Sequence, residues 1–324
     1  PSRYSVLTGR YCWRTHHKWG VGGGFGLPLI DPARETVASL LKRHGYATAA
    51  VGKWHVGWEW QPKHGESINY KNWADEGHVD YSRPIIGGPT AVGFDYFFGI
   101  AGSLDMPPYC FVENDRVVAE PTEEKSPYNP QQKHGYMSPG WRDEDVDVHH
   151  ARKACEWLER THEADPKRPL FLHLTPSAPH RPCMPPDFIR GASDAGPRGD
   201  CIATVDWVVG QVLETLERIG RADNTLLIVT SDNGARPCDV DGNDYGHKSC
   251  GELRGFKAHI WDGGHREPYI VRWPGRVEPG TTCDELVCLG DLLATCAALV
   301  GERLAGHVRA VDLRPGSVAA LLWS

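Results

Sequence analysis

Apolar positions along the chain alternate between a helical and an extended period, and the alternation recurs in cycles. Val37, Leu40, Leu41 and His44 recur at helical spacing after Asp31 and Pro32, which predicts a helix capped by Asp31, opened by Pro32 and stopped at Gly45. The run Tyr46 to Val51 then reads as a strand that delivers Gly52, Lys53, Trp54 and His55 at its carboxyl end. Ala151, Ala154, Cys155 and Leu158 mark a second helix, Asp165 and Pro166 a turn, and Leu170 to Leu174 a strand running out into Ala178, Pro179 and His180. In a third cycle Asp200 is read as the cap of a helix with Ile202, Val205, Val209, Val212, Leu213 and Leu216 on its apolar side, ended by Gly220. The strand Thr225 to Thr230 follows, and after it Ser231, Asp232, Asn233 and Gly234. A strand from Tyr269 to Trp273 and a helix from Leu289 to Val300 complete the legible elements.

Helix, strand and polar loop in this order predict an α/β fold with a mostly parallel central sheet and helices on both faces. Ligands of such sheets bind beyond the carboxyl ends of the strands, where the Lys53, His180 and Asp232 loops all lie. Residues 58–141 show no period and are rich in Gly, Pro and aromatics, so they read as a loop-rich insertion near the substrate site. Trp58, Trp60, Trp73, Tyr81 and Trp141 there could line a platform for a sugar or aryl group; packing of the insertion onto the sheet is the commoner fate of such residues.

Composition narrows the partners. The 324 residues are 40% hydrophobic and 24% charged, as in a soluble globular protein, and no apolar run approaches the ~20 residues of a membrane span. A formal net charge of -7 argues against a nucleic-acid surface, so any anionic ligand must meet a local basic cluster. The 10 cysteines contain no C-x-x-C pair and read as buried thiols with occasional disulfides, not as a zinc module. The Gly22, Gly23, Gly24, Phe25, Gly26 run lacks the Gly-Lys-Ser/Thr of a phosphate cradle and reads as a flexible loop. His16, His17, His149 and His150 lack metal-ligand spacing and read as surface residues or as residues behind the site.

The opening decapeptide, Pro1 to Arg10, resembles the sulfatase signature [CS]-x-P-S-R-x-x-x-[LM]-T-G-[RK] from its third position onward. The second signature of that family, G-Y-x-T-x-x-x-G-K-W-H-x-G, is matched by Gly45, Tyr46, Thr48, Gly52, Lys53, Trp54, His55 and Gly57. Ala178-Pro179-His180-Arg181-Pro182 is similar to the family's A-P-H-x-P loop, and Ser231-Asp232-Asn233-Gly234 to its S-D-N-G metal loop. Leu253-Arg254-Gly255-Phe256-Lys257 and Trp261 to Pro268 resemble its L-R-G-x-K…W-E-G-G-x-R-x-P block, with Asp262 in place of the commoner Glu.

This resemblance implies an alkaline phosphatase-like fold that hydrolyses sulfate esters through a formylglycine and a divalent cation, calcium or else magnesium. It assigns Arg3 and His55 to the formylglycine, Lys53 and Lys257 to the sulfate, His180 to the sulfate and leaving group, and Asp232 and Asn233 to the metal. The formylglycine, made from Cys or Ser by the formylglycine-generating enzyme, is expected two places before Pro1, so the chain reads as truncated at its N-terminus and inactive alone. An Asp-Asp pair of the family's metal site is expected upstream too, which leaves Asp232 and Asn233 as half a site. The tail from Leu313 to Ser324 is too short for the family's small C-terminal subdomain. Family habit places the protein in the periplasm, outside the cell or in the lysosome.

The residue chemistry agrees with the resemblance. Attack on a sulfur screened by negative oxygens needs cations to spread charge and a histidine to pass a proton to the leaving alcohol. Asp232 and Asn233 are oxygen ligands, suited to a hard cation. The substrate is a sulfated glycan or a small sulfate. Rival functions are a phosphonate monoester or phosphodiester hydrolase sharing the signature, and a non-catalytic binder of sulfated glycans.

Overall fold

The computed structural model describes residues 2–68, 73–237, 242–304 and 319–323. Pro1 of the first motif and most of the 313–324 tail lie outside these residues. In chain order the helices are α1 (Ser2–Thr8), α2 (Val37–Arg43), α3 (Val146–Ala164), α4 (Gly196–Arg218), α5 (Asp262–His265) and α6 (Leu292–Leu299). The strands are β1 (Ala47–Lys53), β2 (Tyr96–Ile100), β3 (Val112–Glu113), β4 (Arg116–Val117), β5 (Glu123–Lys125), β6 (Gly135–Met137), β7 (Leu170–Thr175), β8 (Leu226–Thr230), β9 (Tyr269–Arg272) and β10 (Ala319–Trp323).

One sheet, ordered β4-β3-β2-β1-β7-β10-β8-β9, forms the centre of the fold, and β5 and β6 make a separate small pair. Strands β2, β1, β7, β10 and β8 run parallel; β3, β4 and β9 pair antiparallel at the edges. The two-residue strand period sorts side chains between the faces. Ala50, Phe97, Phe171 and Ile228 pack with Leu7, Leu40, Leu41, Leu292 and Leu293 of α1, α2 and α6. Their chain neighbours Ala49, Val51, Phe98, Leu172 and Leu227 pack with Ala154, Trp157, Leu158, Val208 and Val212 of α3 and α4. Each such fully buried Leu, Val or Phe side chain contributes roughly 1.5–3 kcal/mol, so covering both faces holds the sheet rigid under its loops.

Three expectations need correction. Helix α2 starts at Val37, and its cap is Thr36, whose Oγ1 accepts from Ser39 N at 3.0 Å while Thr36 N donates to Ser39 Oγ at 2.9 Å. Asp31 instead closes the turn before it, where Ala33 N donates to its Oδ1 at 2.9 Å and Arg34 N to its carbonyl at 2.7 Å. Helix α4 likewise starts earlier, at Gly196, and Asp200 lies inside it; its carboxylate accepts from Gly191 N and Ser193 N, both at 2.9 Å, and so anchors the preceding turn.

Third, residues 58–141 are more than loops, since they supply β2 to the parallel part of the sheet. Every residue of β2 is buried, because helices or loops cover both faces, and a strand without a wet face shows no alternation. Trp58 and Trp60 are only 1% exposed; Trp58 meets Phe97 edge-on and Trp60 meets Tyr81. With Trp141 also buried, these aromatics pack the segment onto the sheet instead of forming a platform. The side chain of Trp73 lies outside the described residues.

Candidate active site

A cavity of about 580 Å³ opens at the carboxyl ends of β1, β7 and β8. Arg3, Lys53, His55, His180, Asp232, Asn233 and Lys257, drawn from segments more than 250 residues apart, all line it.

Local sequence explains how each arrives. Lys53 ends β1, and Gly52 before it has φ 114°; a Cβ there would lie 2.1 Å from Thr175 O, and one on Gly99 would lie 1.8 Å from Gly52 O. Only glycine lets three strands approach this closely. Lys53 O accepts from Thr175 Oγ1 at 2.9 Å, tying β1 to β7 beneath the cavity. His55 adopts φ 52°, a left-handed conformation that costs a residue with a Cβ roughly 1–2 kcal/mol. Its N–H donates to Ala101 O at 3.0 Å and its Nε2 to Gly22 O at 2.8 Å. The Gly22–Gly26 run is thus pinned: Gly24 O accepts from Trp60 Nε1 at 2.9 Å and Gly26 O from Trp58 N at 3.1 Å.

Helix α1 brings Arg3 against the loop after β8. Arg3 Nη1 donates to Asp232 Oδ2 at 2.7 Å and Ser2 Oγ to Asp232 O at 2.6 Å. Gly234 N donates to Gly264 O at 3.0 Å, and a Cβ on Gly234 would strike Gly263 O at 1.9 Å, so the Ser231–Gly234 loop nests on the Gly263-Gly264 turn. Lys257 N donates to Ala235 O at 2.9 Å, which places that lysine beside the same loop.

The cluster is electrostatically coupled. Burial and the neighbouring Arg3 charge depress Lys53 to about 7, despite Asp232 and Asp105 nearby. Burial, then Lys53, holds both His55 and His180 well below their usual range, so both imidazoles are neutral before a ligand binds. Burial also lowers Lys257. Burial opposes the charge of Asp232, yet Arg3, Lys53 and Lys257 hold its carboxyl below the ordinary carboxylate range. Since Arg181 O can only accept, His180 Nδ1 donates to it at 3.0 Å, leaving Nε2 as the second ring nitrogen. Cations this destabilised by proximity and desolvation make a site that an anion relieves.

The loop carrying His180 is held from behind. Asp147, buried in the first turn of α3, accepts Ser177 N at 2.7 Å on Oδ1 and Ala178 N at 2.8 Å on Oδ2, and fully buried His150 Nδ1 lies 3.0 Å from Oδ1. Asp147→Ala strands two buried N–H donors, so it is expected to cost about 2–4 kcal/mol in urea unfolding. Stability within 1 kcal/mol of the parent would contradict this anchoring.

Four further residues join the site. Ser2, Arg181 and Glu267 sit inside the motifs, where the resemblance attaches no role to them; Asp105 lies in the segment without a readable period. Glu267 Oε1 is buried without a hydrogen-bond partner, and burial together with the Asp232 charge raises this carboxyl to about 7.

Asp232 and Asn233 offer oxygen atoms for a cation, but Arg3 already holds Asp232 Oδ2, and among the described residues no three His, Cys, Asp or Glu side chains are grouped to hold a metal. These residues alone do not fit a calcium site, which takes 6–8 oxygens. For the formylglycine the fit is better: Arg3 Nε is buried and lacks a partner, an unspent donor on a fixed guanidinium. Cys12, Cys110, Cys155, Cys183, Cys250, Cys283, Cys288 and Cys296 are free thiols.

The fold has its counterpart in known proteins. A family model, Sulfatase, matches residues 1–302. The chain belongs to the sulfatase family. Among its sulfatase relatives, N-acetylgalactosamine-6-O-sulfatase of Bacteroides thetaiotaomicron is 35% identical, covering 94% of this chain and 63% of its own length. Steryl-sulfatase of Rattus norvegicus is 29% identical, covering 94% of this chain and 59% of its own. The chain thus spans about three fifths of these two relatives. A structure solved in work on the metabolism of multiple glycosaminoglycans by Bacteroides thetaiotaomicron superposes with TM-score 0.77 at 31% identity, covering 95% of this chain and 68% of its own. A sulfatase structure from Pseudoalteromonas sp. shares the fold, with TM-score 0.69, 23% identity, and coverage of 96% of this chain and 60% of its own.

Proposed function

We propose that the protein carrying this chain hydrolyses sulfate esters at the cavity around Lys53. What supports this most directly is the convergence of Arg3, Lys53, His55, His180 and Lys257 on one cavity in a chain of net charge -7. Lys53 and Lys257 bind the sulfate oxygens and spread the charge that builds on them in the transition state. An anion between them offsets the charges that suppress protonation of His180, which then hands a proton to the leaving oxygen. Arg3 and His55 would hold a formylglycine, installed by the formylglycine-generating enzyme, and that group would supply the oxygen that attacks sulfur. A calcium or magnesium ion at Asp232 and Asn233 requires ligands beyond those described, and no step here depends on it.

The substrate class follows the relatives' names: a sulfated sugar is favoured by the 35% identical N-acetylgalactosamine-6-O-sulfatase. Family resemblance favours the periplasm, the cell exterior or the lysosome; no described helix is long and apolar enough to cross a membrane.

Turnover of p-nitrophenyl sulfate, phosphate and phenylphosphonate by the whole protein tests this. Fastest hydrolysis of the sulfate is expected. Faster phosphonate or phosphate turnover would overturn the reaction class, and retention of sulfated glycans with no turnover of any ester would make the protein a binder.

A further inference from the structure

Beside His180 the cavity wall holds an arginine to which the hydrolysis assigns no task. Arg181 follows His180 in the loop after β7 and lines the same cavity. Its Nε donates to Asp105 Oδ2 at 2.9 Å and its Nη1 to Gln131 Oε1 at 3.2 Å. Asp105 is buried and itself held, by Ser103 Oγ on Oδ1 and by Lys133 N, which donates to its carbonyl at 2.9 Å. The guanidinium is therefore oriented before any ligand arrives, and Nη2 takes part in neither bond. The side chain stays 36% exposed. Held at Nε and Nη1, the guanidinium keeps the N–H donors of Nη2 for a carboxylate or sulfate.

Charge in the cavity points the same way. Among the described residues its lining carries seven Lys and Arg side chains against four Asp and Glu, a surplus of three, whereas a sulfate monoester brings a single negative charge. Arg181 and Arg236 both lie close enough to Lys257 to weaken its hold on a proton, so the cations share one field. A ligand with one negative charge leaves that field mostly unanswered.

We propose that Arg181 is a specificity-determining residue that receives a second anionic group, carboxylate or sulfate, on a glycan whose sulfate ester lies between Lys53, His180 and Lys257. This rests on the sulfate-ester reading of the cavity and narrows its substrate to acidic glycans, as against neutral sugar sulfates or sterol-like sulfates. Asp105 and Gln131 serve it as positioning residues: they hold the fork and touch no substrate.

The experiment compares kcat/KM of the whole protein on a neutral monosulfated monosaccharide, the same sugar linked to a uronate, and the same sugar with a second sulfate. The parent is expected to prefer at least one acidic substrate over the neutral one by about 10-fold or more, and the preferred arm identifies the group that Arg181 reads. Arg181→Ala should cut that preference by about 10- to 100-fold, chiefly through KM, and Arg181→Lys, which keeps charge without the fork, should restore only part of it. A parent without preference, an equal loss on all three substrates, or a Lys variant equal to the parent each overturns the proposal while leaving the sulfatase reading standing. Absence of sulfate release from every substrate, p-nitrophenyl sulfate included, overturns that reading and this proposal with it. Should Arg181→Ala fail to fold, the parent still decides: KM for the preferred acidic substrate must rise more steeply with salt than KM for the neutral one, and equal slopes overturn the assignment.

Discussion

Lys53→Met in the whole protein lowers kcat/KM for p-nitrophenyl sulfate by at least about 100-fold, the scale on which a single charge-stabilising donor acts in a dry site. Methionine keeps the apolar stem in its slot and removes only the ammonium of a residue that is 4% exposed, a charge destabilised by burial and by Arg3. The fold therefore loses nothing it needs: a large activity loss with an unchanged or raised Tm separates catalysis from folding. A pH profile supplies an independent check. Lys53 holds its proton only to about pH 7 in the folded protein, so kcat/KM, which reports the free enzyme, falls as pH rises through about 7. Between there and its ordinary value the unfolded chain binds the proton that the folded one has released. This group's contribution to stability therefore improves as pH rises across that window, and Lys53→Met removes that slope. Turnover within 10-fold of the parent would remove Lys53 from the sulfate site.

Arg3→Met is expected to destabilise the fold by about 2–4 kcal/mol in urea unfolding, because it leaves the Asp232 carboxylate half-buried without its 2.7 Å partner. The estimate lies below the full cost of an orphaned buried charge because the Asp232 side chain keeps 23% of its surface open to the cavity. Adding Asp232→Asn should recover most of that loss, since the charge that needed the partner is gone. The pair also predicts acid sensitivity. Asp232 is held below the usual carboxylate range, so its contribution is present above about pH 4 and is lost as pH falls through its lowered value. An Arg3→Met protein as stable as the parent would show that the pair carries no net stabilisation.

How legible the fold was depended on how clearly neighbouring residues mark the ends of each element. Helix α2 betrayed itself through Val37, Leu40 and Leu41, and β7 through its apolar run, because their boundaries are marked by Gly45, Asp165 and Pro166. Strand β2, covered on both faces like β1 and β7, lacked such marks because it follows a Gly- and Pro-rich stretch without a readable helix period. Capping failed as a guide at Asp31 and Asp200 for a related reason. A short carboxylate serves equally well the turn before a helix or the helix itself, and only the conformation adopted by neighbouring Thr36 or Gly191 decides which.

The chain's residues alone determined that Lys53, His55, His180 and Asp232 stand at or just beyond strand ends, since an apolar run giving way to polar residues is a local property. They also carried the motifs by which the family is known. Tertiary structure decided everything that depends on distance between segments. It set Arg3 against Asp232 across 229 residues, buried Lys53 until its ammonium barely keeps a proton at neutral pH, and locked Arg181 to Asp105 from a segment without a period. The reason is physical: periodicity is written by a side chain's own strand or helix, whereas desolvation and charge coupling come from whatever the other elements bring within a few ångströms.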